Sequence, residues 1–342
     1  MDSKHSMISL KQKLSGLLDV IPKQSEIIYA DYPLYGNVGD LFIMKGTEAF
    51  FKEHGIRVRK RWNPDNFPVG RKLDPHLIIV CQGGGNFGDL YPYYQGFREK
   101  IVQTYPNHKI VILPQSIYFQ NKDNLKRTAE IFSKHANLHI MTREKASYAT
   151  AQAYFSRNHI QLLPDMAHQL FPVIPTQQPS NQKLRFIRTD HEANQALQEH
   201  AEAESYDWRT VLSASDRRTI AFLQTLNVLN KKAGNPLPIA YIWEKYSDYI
   251  VQKAIRFFSR YESVETSRLH GHILSSLLQK KTRSLIIPMG KTPITFIPGW
   301  KECRAPGSSS TPQRRKTFLL TCERKVYFDS PRLTLLYASS KC

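Results

Sequence analysis

Apolar positions along the chain switch between helical and strand periods, and this switching predicts an alternating α/β order. Leu10, Leu14, Leu17, Leu18 and Ile21 recur at helical spacing, which predicts an amphipathic N-terminal helix packed on the body of the protein rather than a signal peptide or a membrane-surface helix. Glu26 to Ala30 predicts a strand, and Leu41 to His54 an amphipathic helix entered through the turn Asn37-Val38-Gly39-Asp40. The continuous apolar runs Leu77 to Cys81 and Lys109 to Leu113 predict buried strands, the second closed by Pro114. Leu138 to Thr142 predicts another strand, followed by a helix from Arg143 through Phe155 and a short strand from Gln161 to Leu163 ahead of Pro164-Asp165.

From Phe171 to Gln182 Pro, Gln, Ser and Asn replace any periodicity and mark a linker. Beyond it the pattern predicts strands at Leu184 to Ile187, Ile239 to Trp243 and Tyr261 to Glu265, with helices at Ser215 to Lys232, Tyr246 to Arg260 and Gly271 to Leu278. The expected fold class is α/β, with two Rossmann-like domains over residues 1–175 and 183–281 facing a cleft, then a divergent basic tail over 282–342. Ligands of such sheets bind beyond the carboxyl ends of the strands.

Composition narrows this picture only in part. The 342 residues, 41% hydrophobic and 11% aromatic, suffice for two cores. A formal charge of +19 favours acidic partners without naming one, and the tail from Thr282 carries eleven Lys and Arg against three acids. Cys303, Cys322 and Cys342 lie in that tail and Cys81 in an apolar run, a pattern with neither a disulfide framework nor metal-ligand spacing, as suits a reducing cytoplasm. No apolar run has the length of a transmembrane helix.

The strand ends carry the candidate chemistry. Arg268-Leu269-His270-Gly271 places a permanent cation two residues from a titratable acid/base at a helix start, where free N–H groups attract phosphate or carboxylate. Its plain alternative is a helix capped by Thr266 or Ser267, with a surface Arg and a packed His. Arg143 repeats this placement in the first half, and two guanidinium forks converging on a cleft would bind a small polyanion; Arg143 could equally pair with Glu144. Asn37 and Asp40 read either as helix capping, with Gly39 supplying an unusual backbone angle, or as holders of sugar hydroxyls, with Asp40 accepting a proton. Gly83, Gly85 and Gly88 satisfy the dinucleotide expression, but the next strand ends in Pro114-Gln115-Ser116 without the acid a ribose needs. The segment is therefore expected to be a loop whose Gly84, Gly85, Asn86 and Asp89 approach a ligand or the other domain. Arg188, Asp190 and Glu192 alternate after a strand and line the cleft or form a salt-bridged edge.

Taken in order, Asp31-Tyr32-Pro33, Asn37-x-Gly39-Asp40, Gly83 to Asp89, Pro114-Gln115-Ser116, Thr142-Arg143-Glu144, Arg188-x-Asp190-x-Glu192 and Thr266-x-Arg268-Leu269-His270-Gly271 resemble the polysaccharide pyruvyl transferase family over residues from about 26 to 281. The resemblance implies a fold similar to the GT-B glycosyltransferases, phosphoenolpyruvate as donor and no cofactor or metal. It implies a glycan or lipid-linked oligosaccharide acceptor, on which a pyruvate ketal forms. It nominates His270 as general acid and Arg268 and Arg143 as the donor clamp. A cytoplasmic location with peripheral contact at an anionic inner membrane face is expected, and no nucleic acid. A nucleotide-sugar glycosyltransferase is the rival enzyme reading, and a basic binding protein the rival outside enzymes.

The resemblance stops after Lys281, where the family commonly runs into Asp-Asn-Ser-Tyr-Gly-Lys-Asn and this chain reads Ser284-Leu285-Ile286-Ile287-Pro288-Met289-Gly290-Lys291-Thr292-Pro293. Permitted codons for that stretch, TCA TTG ATA ATT CCT ATG GGA AAA ACT CCC, spell Ile-Asp-Asn-Ser-Tyr-Gly-Lys-Asn-Ser when read from the third base. This supports a frameshift hypothesis for the tail; a divergent tail binding anionic membrane or glycan is the alternative. Sequencing the gene across Gln279 to Lys291 in independent isolates is expected to return the motif in frame, whereas an uninterrupted reading of the present tail would contradict it.

Overall fold

The computed structural model describes residues 3–189 and 205–285; Asp190, Glu192 and the tail beyond Leu285 lie outside them. The chain opens with α1 (Ser3–Lys13) and a 3-10 turn (Leu14–Asp19), on which Leu10, Leu14 and Leu17 are buried as their spacing requires, with Ile21 buried just beyond. Then follow β1 (Glu26–Ala30), α2 (Val38–Glu53), β2 (Arg57–Arg61), β3 (Ile78–Cys81), β4 (Gly84–Gly88), α3 (Pro92–Thr104) and β5 (Ile110–Tyr118). The first half closes with α4 (Lys122–Ser133), β6 (Leu138–Thr142), α5 (Lys145–Tyr154), β7 (His159–Leu162) and a 3-10 turn (Met166–Leu170).

These strands make a seven-stranded sheet in the order β2-β1-β3-β5-β6-β7, with β4 also on β5, and every pairing is parallel. Two-residue alternation feeds two cores. Ile27, Tyr29, Val80, Val111 and Met141 face one, and Ile28, Ile79, Ile110, Ile112 and Ile140 the other. Strand order reverses between β1 and β3, and a crevice at such a switch point is where doubly wound sheets bind ligands.

The second half begins with β8 (Asn181–Phe186) and, past the undescribed residues, continues with α6 (Trp208–Val211), α7 (Ala214–Lys232), α8 (Ile239–Ser259), β9 (Tyr261–Thr266), α9 (Leu269–Leu277) and β10 (Lys281–Ser284). Its three strands form a parallel sheet, β10-β9-β8.

Several expectations need correction. Ile239 to Trp243 is the first turn of α8, not a strand: Ile239, Trp243, Ile250, Ala254 and Phe258 are buried at helical spacing, a period that a five-residue window cannot display. Pro114 does not close β5. It falls where the register with β6 shifts, between Ile112 and Gln115, and at such an irregularity a missing N–H is tolerated. The glycine segment is not a loop but β4, which continues along the partner of β3. A Cβ on Gly88, at φ +138°, would stand 1.6 Å from Tyr118 O. Asn37, not Asp40, caps α2, accepting from Gly39 N at 3.1 Å, so Gly39 lies within the first turn and needs no unusual angle.

The helix α2 joins these parts. Its Gly46 lies against the 3-10 turn so closely that a Cβ there would stand 2.0 Å from Met166 O. Gly46→Ala is expected to cost about 3 kcal/mol, because backbone and not a flexible side chain blocks the methyl. Gly96→Ala, on α3 with nothing within 4 Å of the added atom, should stabilise by about 0.5–1 kcal/mol. Urea unfolding of both variants checks the contrast, and equal effects would contradict the packing argument.

Candidate active site

Carboxylates and cations from four strand ends meet above the switch point. Arg143 follows β6, and its Nη1 donates to Asp165 Oδ2 at 2.6 Å while its Nε donates to Ser116 Oγ at 2.9 Å. Ser116 Oγ in turn donates to Glu144 Oε2 at 2.9 Å, which fixes the guanidinium plane from behind. Asp165 follows β7 and caps the 3-10 turn, its Oδ1 accepting from Ala167 N at 2.9 Å. His270, in the first turn of α9, brings its Nε2 within 3.3 Å of the same Asp165 Oδ2. One buried carboxylate therefore links a residue of the large sheet to one that follows the small sheet.

The other face of the imidazole lies on α2. A Cβ on Gly39 would stand 2.7 Å from His270 Nδ1, so glycine here makes room for the ring. Asp40, next along α2, accepts from Asn37 Nδ2 at 2.8 Å, and Gln82 Nε2 donates to its backbone oxygen at 3.3 Å. Gly84 places its Cα beside Asp40, 3.7 Å from Oδ1 to a would-be Cβ, and Gly85 does the same for Arg143 Nη2 at 3.1 Å. Bare glycine backbone on this side leaves space between the carboxylate and the guanidinium.

The electrostatics separate the two aspartates. Burial alone would raise the Asp165 carboxyl, but the charge and hydrogen bond of His270 and the charge of Arg143 outweigh it and hold the group well below the usual carboxylate range. Burial raises the Asp40 carboxyl, against the lowering effects of His270, Tyr35 and Arg143. An ionised Asp165 gives the imidazole a fixed negative partner, while Asp40 has the character of a proton acceptor. Tyr35 packs edge-on to Tyr94 at 5.8 Å and Tyr94 to Tyr93 at 5.5 Å. Tyr93 borders an open cavity of about 620 Å³ lined also by Pro64, Phe67, Pro92, Lys100 and Lys231.

Of the residues expected from sequence, His270, Arg143, Gly39, Asp40, Gly84 and Gly85 come together here, with Asn37 bound to Asp40. Arg268 caps α9, and its Nε and Nη2 donate to the two oxygens of Asp207 at 2.7 Å each, so the two arginines answer to different carboxylates. Asn86 and Asp89 are engaged by the scaffold. Asn86 Oδ1 accepts from Arg98 and Gln115, and Asp89 receives the backbone N–H groups of Gln120 and Asn121 at the start of α4. Arg188 N donates to Ser267 Oγ at 2.8 Å, tying the end of β8 to the entry of α9. Sequence reasoning missed Asp165 and Asp207. Asp165 carried the same signal as the others, an acid just past a strand, whereas Asp207 had none. Among the described residues no group of three or more His, Cys, Asp and Glu is arranged to hold a metal ion.

The profile described as polysaccharide pyruvyl transferase matches residues 37–286, and so reaches past Lys281 through β10. A Bacillus subtilis (strain 168) protein carrying the pyruvyl transferase name EpsO is 93% identical over 302 residues, 88% of this chain and 94% of that one. Pyruvyl transferase 1 of Schizosaccharomyces pombe is 29% identical over 210 residues, 59% of this chain and 49% of that one. An uncharacterised Klebsiella pneumoniae protein of known structure covers 80% of this chain and 87% of its own, at 19% identity and a TM-score of 0.49.

Asp165→Asn is expected to destabilise the fold by about 3 kcal/mol at neutral pH, since it leaves Arg143 and His270 facing an uncharged amide. The native carboxyl is depressed, so this difference is full above about pH 4 and shrinks as pH falls below it. Chemical unfolding of both proteins across pH checks this; a difference unchanged far into acid would contradict it.

Proposed function

The chain belongs to the polysaccharide pyruvyl transferase family, and from that premise we propose that it transfers the pyruvyl group of phosphoenolpyruvate to a sugar of a bacterial surface or extracellular polysaccharide as a ketal. The observation that carries this reading is the Asp165 carboxylate shared by His270 and Arg143, with Asp40 close enough for both cations to act on its carboxyl. Arg143 and Arg268 hold the phosphate and carboxylate of the donor, Arg268 from a guanidinium steadied by Asp207.

Asp40 takes the proton of the attacking sugar hydroxyl as its oxygen bonds to the enol ether carbon. His270 delivers a proton to the methylene, which becomes the methyl group. The C–O bond to phosphate then breaks, the departing phosphate, held by the arginines, taking up the proton from Asp40, and the neighbouring hydroxyl closes the ketal as its proton passes to His270. Asp165 orients His270 toward the reacting carbon. Asn37, Gly84, Gly85, Asn86, Asp89 and Arg188 support the surrounding surface, with Asn37 reaching the acceptor. The tyrosines from Tyr35 to Tyr93 offer sugar rings a path from Asp40 toward the cavity. The two parallel sheets support a GT-B-like division into Rossmann-like domains at residues 1–175 and 183–281. A lipid-linked acceptor would place the enzyme on the cytoplasmic side, at the inner face of the membrane.

Incubating the purified protein with phosphoenolpyruvate and glycan acceptors should release phosphate and yield a ketal. His270→Ala is expected to lower kcat at least about 10³-fold while sparing donor binding. Because burial raises the Asp40 carboxyl, wild-type kcat/KM should fall with decreasing pH above the ordinary carboxylate range, and Asp40→Asn should remove that limb along with most activity. Near-normal transfer by His270→Ala would contradict the assignment. Nucleotide release from a nucleotide sugar, without phosphate release from phosphoenolpyruvate, would replace the donor.

A further inference from the structure

Seven of the eleven large apolar side chains exposed among the described residues fall between Phe222 and Tyr249, on α7, α8 and the turn joining them. Phe222 is 64% exposed, Leu229 53%, Leu237 46%, Tyr241 60% and Tyr249 47%. They are not leftovers of the core, because the opposite faces of both helices, with Ile220, Leu223, Trp243 and Ile250, are already buried. Contiguous exposed apolar surface of this kind marks an interaction face.

The spacing resolves the face further. On α7, Arg218, Phe222, Thr225, Leu229 and Lys232 fall on one stripe, apolar in the middle and cationic at both ends. On α8, Tyr241, Lys245, Tyr249 and Arg256 make a second stripe, with the Lys245 ammonium 5.4 Å from the Tyr241 ring centroid. Two of the three acids on these helices are paired, Asp216 with Lys253 at 2.5 Å and Asp248 with Lys45 of α2 at 2.7 Å, and the third, Glu244, is outnumbered by Arg217, Arg218, Lys231, Lys232, Lys245 and Arg256. The exposed charge around the apolar centre is therefore positive.

We propose that the outer face of α7 and α8 docks on an anionic lipid surface, with Phe222, Leu229 and Tyr241 entering the headgroup boundary and Arg218, Lys232 and Lys245 meeting lipid phosphates. Tyrosines and cation-flanked apolar stripes suit that boundary, where one side of a residue is apolar and the other wet. A second copy of this chain suits the face less well, since a two-fold contact sets the same patch against itself and brings like charges together. The inference does not depend on the choice of donor.

The test is sedimentation of the full chain with vesicles of phosphatidylcholine alone or mixed with phosphatidylglycerol. The protein is expected to pellet with the mixed vesicles and not with phosphatidylcholine alone. The triple variant Phe222→Ser, Leu229→Ser, Tyr241→Ser should bind at least about tenfold more weakly with an unchanged melting temperature. Light scattering on the same samples reports association between copies. Binding by the triple variant equal to wild type would overturn the proposal, as the cationic tail or another surface would then carry it. So would the absence of binding to mixed vesicles, or a dimer that the triple substitution dissolves.

Discussion

One carboxylate oxygen, Asp165 Oδ2, receives both the guanidinium of Arg143 and the imidazole of His270, and the candidate site depends on that coincidence. A buried carboxylate is costly unless its partners are close and correctly aimed. Arg143 is aimed by Ser116 and Glu144, while Asp165 is anchored by the N–H of Ala167. His270 comes from the second half of the chain and is placed by the packing of α9 against α2, whose two glycines do separate work. Gly39 lets the ring lie on the helix, and Gly46 lets the same helix press on the turn that follows Asp165. The elements that fix the fold are thus the elements that fix the chemistry.

Much of this was legible from the order of residues, because a parallel sheet buried on both faces writes continuous apolar strands and leaves polar residues at their carboxyl ends. β1, β3 and β6 follow from that signal with boundaries nearly as observed, and the same strand ends point to His270, Arg143 and Asp40, which the fold brings together. The failures have physical reasons. Ile239 to Trp243 looks like a strand over five residues and becomes helical only when Ile250, Ala254 and Phe258 are counted with it. Gly84 to Gly88 looks like a loop because glycine lacks strand propensity, yet the approach of Tyr118 O demands glycine. Asn86 and Asp89 have the right chemistry for a ligand but spend it on Arg98, Gln115 and the start of α4. Pairings such as Arg268 with Asp207, 61 residues apart, leave no local trace.

Charge divides the molecule by role. Inside, charges are paired among themselves, as in the fully buried pair of Arg98 and Asp31, where burial pushes the Asp31 carboxyl up to about 6 against the pull of Arg98. The chain as a whole carries a formal charge of +19, and on α7 and α8 exposed cations surround exposed apolar side chains. No helix among the described residues is long and apolar enough to cross a membrane, so lipid contact there would be a surface attachment.

The most direct test of the central claim is a double-mutant cycle on pyruvyl transfer. The kcat/KM for phosphoenolpyruvate is measured for wild type, Asp165→Asn, Arg143→Gln and the double variant, all retaining His270. If Asp165 acts by holding Arg143 and His270 together, the losses are non-additive by at least about 1 kcal/mol, the double variant being little worse than the poorer single one. Strictly additive losses would show that the two residues act independently and would contradict the account.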